Sequence, residues 1–375
     1  MFDRRRFDLP ALFCYPNGVN ISHVHAAPLR LPYRDPMKTA TNYFAEATGL
    51  LIEIRTDEGL KGYGYAELFP RAGETIETAQ PIVRDILAPG LVGRDANDFH
   101  PLLDWMEKQV TGNRRAKASI EMALHDLRGK KTRLPVYELL GGKVRESVTV
   151  MRMVGLRKPE EMAKEAGELV QQGIRALKIK IGTGWKEDIE RVKAVRERVG
   201  EKVFIKVDAN QCYSADEALR VARLLEEFNV KTFEQPVQAD DWDGMTYLTK
   251  NSPIPIEADQ TVRSIADVIR VIRTGAAHVI NTSPQKAGGI LQAKRIADLC
   301  DAAGMPCILS SIAGCVLNDA ASIQVIAASR STHLPCEVGE SHRVTGDPTR
   351  GLEVVNGEIS VPTSPGLGVE VQFPP

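Results

Sequence analysis

The strongest constraint on the fold is a set of five polar side chains that recur at a nearly constant spacing through the middle of the chain. Successive members are separated by 28, 26, 25 and 24 residues, and they are Lys180, Asp208, Glu234, Asp259 and Ser283. Each ends a short apolar, β-branched run, and a helical pattern follows each run. Strand–helix units repeated at this interval are typical of a parallel (β/α) barrel. They place the five side chains at the carboxyl ends of the strands, where such barrels carry out chemistry.

The remaining sequence patterns divide the chain into three parts. Residues 147–340 contain eight strand candidates, the number that a closed barrel requires. Before them, strand-like runs at residues 21–30 and 49–56, a turn at residues 57–64 and three helical patterns predict a separate α+β module. We therefore expect an α/β protein with an α+β capping domain at residues 1–140, a TIM-type barrel at residues 141–345, and a C-terminal segment at residues 346–375 that returns to the capping domain.

Composition excludes several classes of function. The net charge is −1 and the one dense basic run, residues 4–6, is short, which argues against a nucleic-acid partner. The six cysteines show no CxxC pair, which indicates a reducing compartment and no structural zinc. No window approaches the ~18 apolar residues of a membrane span. We expect a cytoplasmic protein without a membrane partner.

Two lysines share one face of the second barrel strand. In the run Leu177–Lys180, Lys178 and Lys180 alternate with apolar residues, so both point inward if the strand belongs to a barrel. Two adjacent ammonium groups disfavour double protonation, and we expect the pKa of one to fall from ~10.4 toward the range of about 7–8 that suits a general base. The alternative is an edge strand with two solvated lysines.

The three carboxylates favour a metal site. Asp208, Glu234 and Asp259 end three consecutive strands and converge at one rim of a barrel. Buried carboxylates repel one another, and a hard cation with oxygen ligands, above all Mg²⁺, relieves that repulsion. A lysine base facing Mg²⁺ suits removal of a proton next to a carboxylate, because the metal offsets charge on the enediolate. The alternative is three unrelated acids that cap helices.

Several sequence blocks resemble the enolase superfamily, and within it the muconate-lactonizing enzyme and mandelate racemase-like family. The blocks are ASIEMALHDLRGKKTRLPVYELLGG at residues 118–142, VDAN at 207–210, EQP at 234–236, AGGI at 287–290 and VPTSPGLGVEV at 361–371. The resemblance implies a modified, enolase-like barrel with Mg²⁺ held by Asp208, Glu234 and Asp259. It further implies that Lys180 is the catalytic base, that Lys178 assists it, and that Asn210 lies close to a small carboxylate substrate. It also implies a homo-oligomer, a dimer or an octamer.

Details of the resemblance favour the muconate-lactonizing subgroup, with one departure. Aspartate at the third metal position, the lysine pair and the absence of a histidine on the seventh strand are similar to that subgroup. The subgroup has a second lysine at the end of the sixth strand, where this chain has Ser283. Its Asp-Glu-Ser on the fifth strand reads Asp259-Gln260-Thr261 here. Lys286 lies three residues after Ser283, and a local insertion that returns it to the site is the alternative.

With one base in place, chemistry on one face of the substrate is favoured. We expect a Mg²⁺-dependent lyase or isomerase of a small hydroxy or amino acid: a dehydratase by syn β-elimination or a cycloisomerase, ahead of a racemase or epimerase. Ser283 and Glu337 are candidate substrate contacts, although Glu337 is alternatively a strand-end partner of Arg343. A Schiff-base aldolase and a non-catalytic, metal-dependent binding protein stay open.

Two capping-domain loops, residues 32–44 and 67–74, are expected to cover the barrel mouth. The side chains in these loops that suit a distal anionic or polar group of the substrate are Arg34, Lys38, Tyr43 and Arg71.

Overall fold

The capping domain begins with a three-stranded antiparallel sheet. The structure is a computed structural model that describes residues 18–312 and 314–374, so the basic run at residues 4–6 lies outside the described residues. The strands, in the order β1-β2-β3, are β1 (Ile21–Lys38), β2 (Tyr43–Thr56) and β3 (Lys61–Glu67).

Residues 32–44 line the cavity in part, as predicted, but they are not a loop throughout, because β1 and β2 extend through most of them. Leu29, Leu31 and Tyr33 are buried and alternate with exposed residues, which is the period of a strand. The prolines at positions 28, 32 and 36 hid this alternation. They are tolerated because β1 is an edge strand, where a missing N–H breaks no internal ladder. The predicted turn after β2 is confirmed, but it is short and leads directly into β3.

Helices pack on one face of this sheet, and the closest contact joins β3 to the long helix α4. The capping-domain helices are α1 (Ile76–Pro81), which continues as a π-helical turn (Ile82–Leu87), α2 (Ala88–Leu91), α3 (Phe99–Gln109), α4 (Arg114–Thr132) and α5 (Val136–Leu139). A Cβ atom on Gly64 would lie 1.8 Å from the backbone oxygen of Ser119, and one on Gly62 would lie 2.1 Å from that of Ala123. Glycine is therefore required in β3 for the helix to approach the strand.

The barrel is built from parallel strands in chain order. After β4 (Ser147–Thr149) they are β5 (Met151–Val154), β6 (Ala176–Lys180), β7 (Phe204–Asp208), β8 (Val230–Glu234), β9 (Ile256–Ala258), β10 (Val279–Thr282) and β11 (Cys307–Leu309). Backbone bridges from Val150 to Cys336 and from Ser310 to Glu337 supply the eighth position and close the ring. The predicted enolase-like barrel with a capping domain is confirmed.

The barrel helices surround this ring. They are α6 (Pro159–Gln171), α7 (Trp185–Val199), α8 (Ala215–Leu225), α9 (Trp242–Asn251), α10 (Ile265–Thr274), α11 (Pro284–Ala287), α12 (Ile290–Ala302) and α13 (Val316–Ala327). Local sequence sets several of their first turns; for example, Ser214 and Glu217 form a capping box at α8. The start of α12 is capped from the other domain, because Glu121 of α4 accepts hydrogen bonds from the backbone N–H groups of Ile290 and Leu291 at 2.7 and 2.9 Å.

The C-terminal residues bind both parts of the molecule. Their strands are β12 (Thr349–Arg350), which pairs with β14, β13 (Glu358–Ser360), which pairs with β4, and β14 (Glu370–Val371). Asp126 of α4 accepts a hydrogen bond from the backbone N–H of Leu367 at 2.9 Å. This packing holds α4, and with it the capping domain, over the barrel. Among the described residues there is no helix long and apolar enough to cross a membrane.

Candidate active site

A cavity of about 870 Å³ lies between the capping domain and the carboxyl ends of the barrel strands. All eight residues predicted for the site line it, namely Lys178, Lys180, Asp208, Asn210, Glu234, Asp259, Ser283 and Glu337. The structure therefore brings these eight side chains together in one cavity. Their individual roles stay predictions.

The candidate base contacts the first carboxylate. The register of β6 and β7 pairs Lys180 with Asp208, and both side chains point inward. Lys180 Nζ donates hydrogen bonds to Asp208 Oδ2 at 2.5 Å and to Asn210 Oδ1 at 3.1 Å. Burial by itself raises the pKa of Asp208, but the ammonium groups of Lys178 and Lys180 outweigh it and hold that pKa well below its usual range. Asp208 is thus kept ionised.

Lys178 has a different environment from the one expected. Its Nζ lies 2.7 Å from Glu337 Oε2, 2.8 Å from Glu234 Oε1 and 3.1 Å from Asp208 Oδ2. Burial lowers its pKa, but the three carboxylates outweigh burial and raise the pKa well above its ordinary value. The expectation that an adjacent lysine lowers this pKa is wrong for Lys178. That argument considered only the two lysines and left out the carboxylates that lie close to Lys178. These contacts favour the charged form of Lys178.

The three strand-end carboxylates suit Mg²⁺ by their chemistry. They supply an all-oxygen donor set, and Asp208 and Glu234 are paired in the register of β7 and β8. Burial and then the negative charge of Asp208 raise the pKa of Glu234 well above its usual range, although Lys178 and Lys206 act in the opposite direction. A divalent cation between the carboxylates would offset their mutual repulsion. The residues present therefore fit the Mg²⁺ cofactor expected from the sequence.

The tightest group of carboxylates is a different one. Oxygen atoms of Glu234, Glu257 and Glu337 lie within 4.8 Å of one another, and the ammonium group of Lys206 lies among them. The two remaining carboxylates of the predicted metal site also have lysine partners: Lys180 pairs with Asp208 and Lys286 pairs with Asp259. Each acid at the rim thus has an ammonium partner from the chain itself.

Lys286 reaches the site, as the alternative in the sequence analysis allowed. Ser283 caps the one-turn helix α11, since its Oγ accepts a hydrogen bond from the backbone N–H of Lys286 at 3.1 Å. The turn carries the Lys286 side chain back over the end of β10. There its Nζ donates to a carboxylate oxygen of Asp259, to the backbone oxygen of Asp259 at 2.8 Å and to that of Asn281 at 3.1 Å. Ser283 thus stands where the related subgroup has a lysine, and its cap fixes the turn that carries Lys286 into the site.

Four buried polar residues of the site were missed by the sequence analysis: Lys206, Thr232, Glu257 and Asn281. A signal was present, because each lies two residues before one of Asp208, Glu234, Asp259 and Ser283. Positions two apart on a strand face the same way, so these residues also point into the barrel. Only the relation of Lys178 to Lys180 was interpreted in this way.

Glu337 joins two lysines and does not pair with Arg343. Its Oε2 accepts from Lys178 at 2.7 Å and its Oε1 accepts from Lys206 at 2.5 Å. Burial raises the pKa of Glu337, but both ammonium groups outweigh burial and hold the pKa well below its usual range. Arg343 pairs instead with Glu340 and lies 3.8 Å from Glu165. The alternative prediction that Glu337 pairs with Arg343 at the strand end is therefore wrong.

On the capping-domain side, Arg71 is the charged residue of the predicted set that lines the cavity. Its Nη1 donates to the backbone oxygen of Thr41 at 2.9 Å, which joins the β1–β2 turn to the loop after β3. Among the described residues, no carboxylate forms an ion pair with it. Arg34, Lys38 and Tyr43 do not line the cavity. Arg115 also lines the cavity, and it pairs with Glu67 at 2.5 Å.

Comparisons with known proteins agree with this architecture. Residues 21–141 match the family model described as mandelate racemase / muconate lactonizing enzyme, N-terminal domain, and residues 161–374 match the model described as enolase C-terminal domain-like. N-succinyl-L-Arg/Lys racemase from Bacillus cereus is 31% identical over 360 residues, which cover 94% of this chain and 96% of the relative. Muconate cycloisomerase 1 from Rhodococcus opacus is 31% identical over 366 residues, which cover 95% of this chain and 97% of that one.

A solved structure extends the likeness to three dimensions. The dipeptide epimerase from Enterococcus faecalis, complexed with Mg and the dipeptide L-Leu-L-Tyr, superposes with a TM-score of 0.90 at 29% identity, over 93% of this chain and 98% of the other. This chain belongs to the mandelate racemase and muconate lactonizing enzyme family of the enolase superfamily. It is an enzyme of that superfamily, as the resemblance of its motifs implied. The expected homo-oligomer stays a prediction.

Proposed function

We propose that this protein is a Mg²⁺-dependent racemase or epimerase that inverts the carbon next to the carboxylate of an amino-acid derivative. The observation that carries the proposal is the placement of two lysine ammonium groups on opposite walls of the cavity. Lys180 ends β6, and Lys286 lies against the ends of β9 and β10. Three strand positions separate β6 from β10 in either direction around the ring. Inversion needs one group on each face of the carbon, and this arrangement supplies both.

Each residue has a task in this proposal. Asp208, Glu234 and Asp259 hold Mg²⁺, which supplies positive charge for the substrate carboxylate. Lys180, after it has given up its own proton, takes the proton from one face and becomes an ammonium, and the ammonium of Lys286 returns a proton to the other face and becomes neutral. Lys178 keeps its charge and pairs with the negative charge that develops, because Glu337 anchors it at 2.7 Å. Loss of this stabilisation alone would cost about 10²–10³-fold in rate.

Two facts support an amino-acid derivative as the substrate. Relatives of similar length are named as a racemase of N-succinyl amino acids and as a hydrophobic dipeptide epimerase. In addition, Arg71 lines the cavity and donates to the backbone oxygen of Thr41, and no carboxylate of the described residues pairs with its charge. We propose that the substrate carries a second anionic group, distal to the reacting carbon, that pairs with this guanidinium.

One-face chemistry, β-elimination of water or cycloisomerisation, is the second candidate. The observation that favours it is that Lys286 Nζ is engaged by three oxygen acceptors, two of them backbone carbonyls. An ammonium held in this way is suited to orient Asp259, and Lys180 would then be the one acid/base group. A second relative, o-succinylbenzoate synthase from Bacillus subtilis, is 30% identical over 358 residues.

Proton exchange in D₂O separates the candidates. The protein is incubated with Mg²⁺ and single enantiomers of N-succinyl amino acids and dipeptides, and the product is followed by NMR and by chiral chromatography. A racemase or epimerase incorporates deuterium at the inverted carbon, and Lys180→Ala abolishes the reaction. Deuterium incorporation with retained configuration, or formation of an unsaturated product, supports the one-face candidate. Absence of exchange with every acid contradicts both and favours the binding protein.

A further inference from the structure

Lys206 lies inside the barrel, fully buried, and has three carboxylate partners. Its Nζ is 2.5 Å from Glu337 Oε1, 2.6 Å from Glu234 Oε2 and 2.6 Å from Glu257 Oε1. The same atom of Glu337 also accepts from Asn281 Nδ2 at 2.8 Å, and Glu257 Oε2 accepts from Thr232 Oγ1 at 2.9 Å. Neither Lys206 nor Glu257 is exposed at all. Lys206 therefore cannot reach a substrate, and any influence on the reaction passes through its partners.

Two of those partners face the proposed metal and substrate. Lys206 contacts one oxygen of Glu234, and the other oxygen, Oε1, contacts Lys178. It likewise takes one oxygen of Glu337 and leaves Oε2 to hold Lys178 at 2.7 Å. One oxygen of each carboxylate thus contacts Lys206, and the other accepts a hydrogen bond from Lys178, which lines the cavity.

Packing of the barrel interior does not by itself require a lysine buried among three carboxylates. Barrel interiors are usually filled by branched apolar side chains, and a buried ion pair is often no more stabilising than apolar residues of equal volume. A fully buried charge that serves stability alone would therefore be a poor choice. The selective use of one oxygen on each of Glu234 and Glu337 is what a device for orienting them requires.

We propose that Lys206 is a positioning residue: it orients Glu234 for the metal and, through Glu337, holds Lys178 at the substrate. This inference rests on the proposed metal site at Asp208, Glu234 and Asp259. It predicts that loss of Lys206 weakens Mg²⁺ binding. A cation that merely repelled the metal would have the opposite effect, because its removal would tighten Mg²⁺ binding by Coulomb's law.

The test uses a charge-balanced variant, Lys206→Met combined with Glu257→Gln, so that no additional unpaired charge is left in the barrel. The dissociation constant of Mg²⁺ is measured by isothermal titration calorimetry on the substrate-free protein. We expect it to rise about 10–100-fold, the usual effect of losing a residue that orients a metal ligand. Glu257→Gln alone is expected to stay close to wild type, and Lys206→Arg to recover most of the affinity.

Arg196→Met is the control for loss of a buried cation elsewhere. Arg196 donates to backbone oxygens of Phe228, Gly200 and Val203, far from the cavity, so the variant lowers the melting temperature and leaves Mg²⁺ binding unchanged. If the charge-balanced variant binds Mg²⁺ as tightly as wild type or more tightly, the inference is wrong while the proposed function stands. If wild type binds no Mg²⁺, the proposed function fails as well.

Discussion

The Nζ of Lys286 lies 2.8 Å from the backbone oxygen of Asp259, and the same ammonium pairs with the Asp259 side chain. The two residues are 27 positions apart in the chain and belong to consecutive strand–helix units. This contact places the ammonium group of Lys286 on the cavity wall at the end of β10, where Ser283 itself supplies no cation. The proposed inversion rests on the position of Lys286 on this wall, whereas its contact with Asp259 is the feature that the one-face candidate uses.

Replacing Lys286 tests this assignment directly. Lys286→Met should abolish inversion, with a loss of roughly 100-fold or more, because general acid–base groups contribute about 10²–10⁴-fold. Exchange of the α-proton at the face served by Lys180 should persist, which NMR in D₂O detects. Lys294→Met is the matched control, since Lys294 pairs with Asp298 on α12. Equal loss of exchange and inversion would instead assign Lys286 a role in holding Asp259.

Mg²⁺ should stabilise the fold. A ligand that binds only the native state at about 100 times its dissociation constant adds about 2.7 kcal/mol, so the melting temperature should rise with added Mg²⁺ and fall with EDTA. Asp259→Asn should remove most of this response, because it takes away one of three anionic donors. Differential scanning calorimetry at several Mg²⁺ concentrations measures it. A variant that responds like wild type would exclude Asp259 as a ligand.

Arg71 should select for substrates with a distal acidic group. Arg71→Met is expected to raise KM about 10-fold or more for such substrates and to leave neutral analogues unchanged, because a charge-assisted hydrogen bond contributes about 1.5–3 kcal/mol. Steady-state kinetics on paired acidic and neutral substrates provide the measurement. Arg34→Met is the control, since Arg34 donates to the backbone oxygen of His342 and does not line the cavity. Equal effects on both substrates would contradict the assignment.

Glu340 should give the protein a specific sensitivity to acid. Burial raises the pKa of Glu340, but Arg343 and Arg152 outweigh it and hold the pKa below its usual value of ~4.3. A carboxyl group with a lowered pKa in the native state contributes stability above about pH 4.3, and that stability is lost as the pH falls through the native pKa. The difference in melting temperature between wild type and Glu340→Gln should thus be largest near neutral pH and narrow below about pH 4. A difference independent of pH would mean that the charge is not responsible.

Gly64 should be essential for packing β3 against α4 within the capping domain. A Cβ atom at this position would lie 1.8 Å from the backbone oxygen of Ser119, so Gly64→Ala has to displace β3 from α4. Overpacking of this kind costs about 1–3 kcal/mol, which urea unfolding measures. Gly155→Ala is the matched control, since its Cβ would have its nearest contact at 3.5 Å. A stable Gly64→Ala protein would show that the strand and the helix can separate without loss.

Much of the fold was predictable because its signals are local. Apolar runs that each end in a polar residue, followed by helical patterns, identified the strands that carry Lys180, Asp208, Glu234 and Asp259. Helix starts such as that of α8 follow from short capping sequences. The extension of β1 beyond residue 30 was missed because Pro32 and Pro36 interrupt a strand that only the edge of a sheet can accommodate.

The sequence by itself determined the superfamily, the barrel, and the set of lysines and carboxylates at its mouth, since strand alternation and spacing are properties of neighbouring residues. Tertiary structure decided how these charges are shared. The contact of Lys286 with Asp259, the carboxylates around Lys178 and the position of Lys206 among three glutamates depend on which side chains from different strands meet in a buried space. At such short distances in a buried site, partner and orientation determine what each charge does, and no spacing along the chain specifies them.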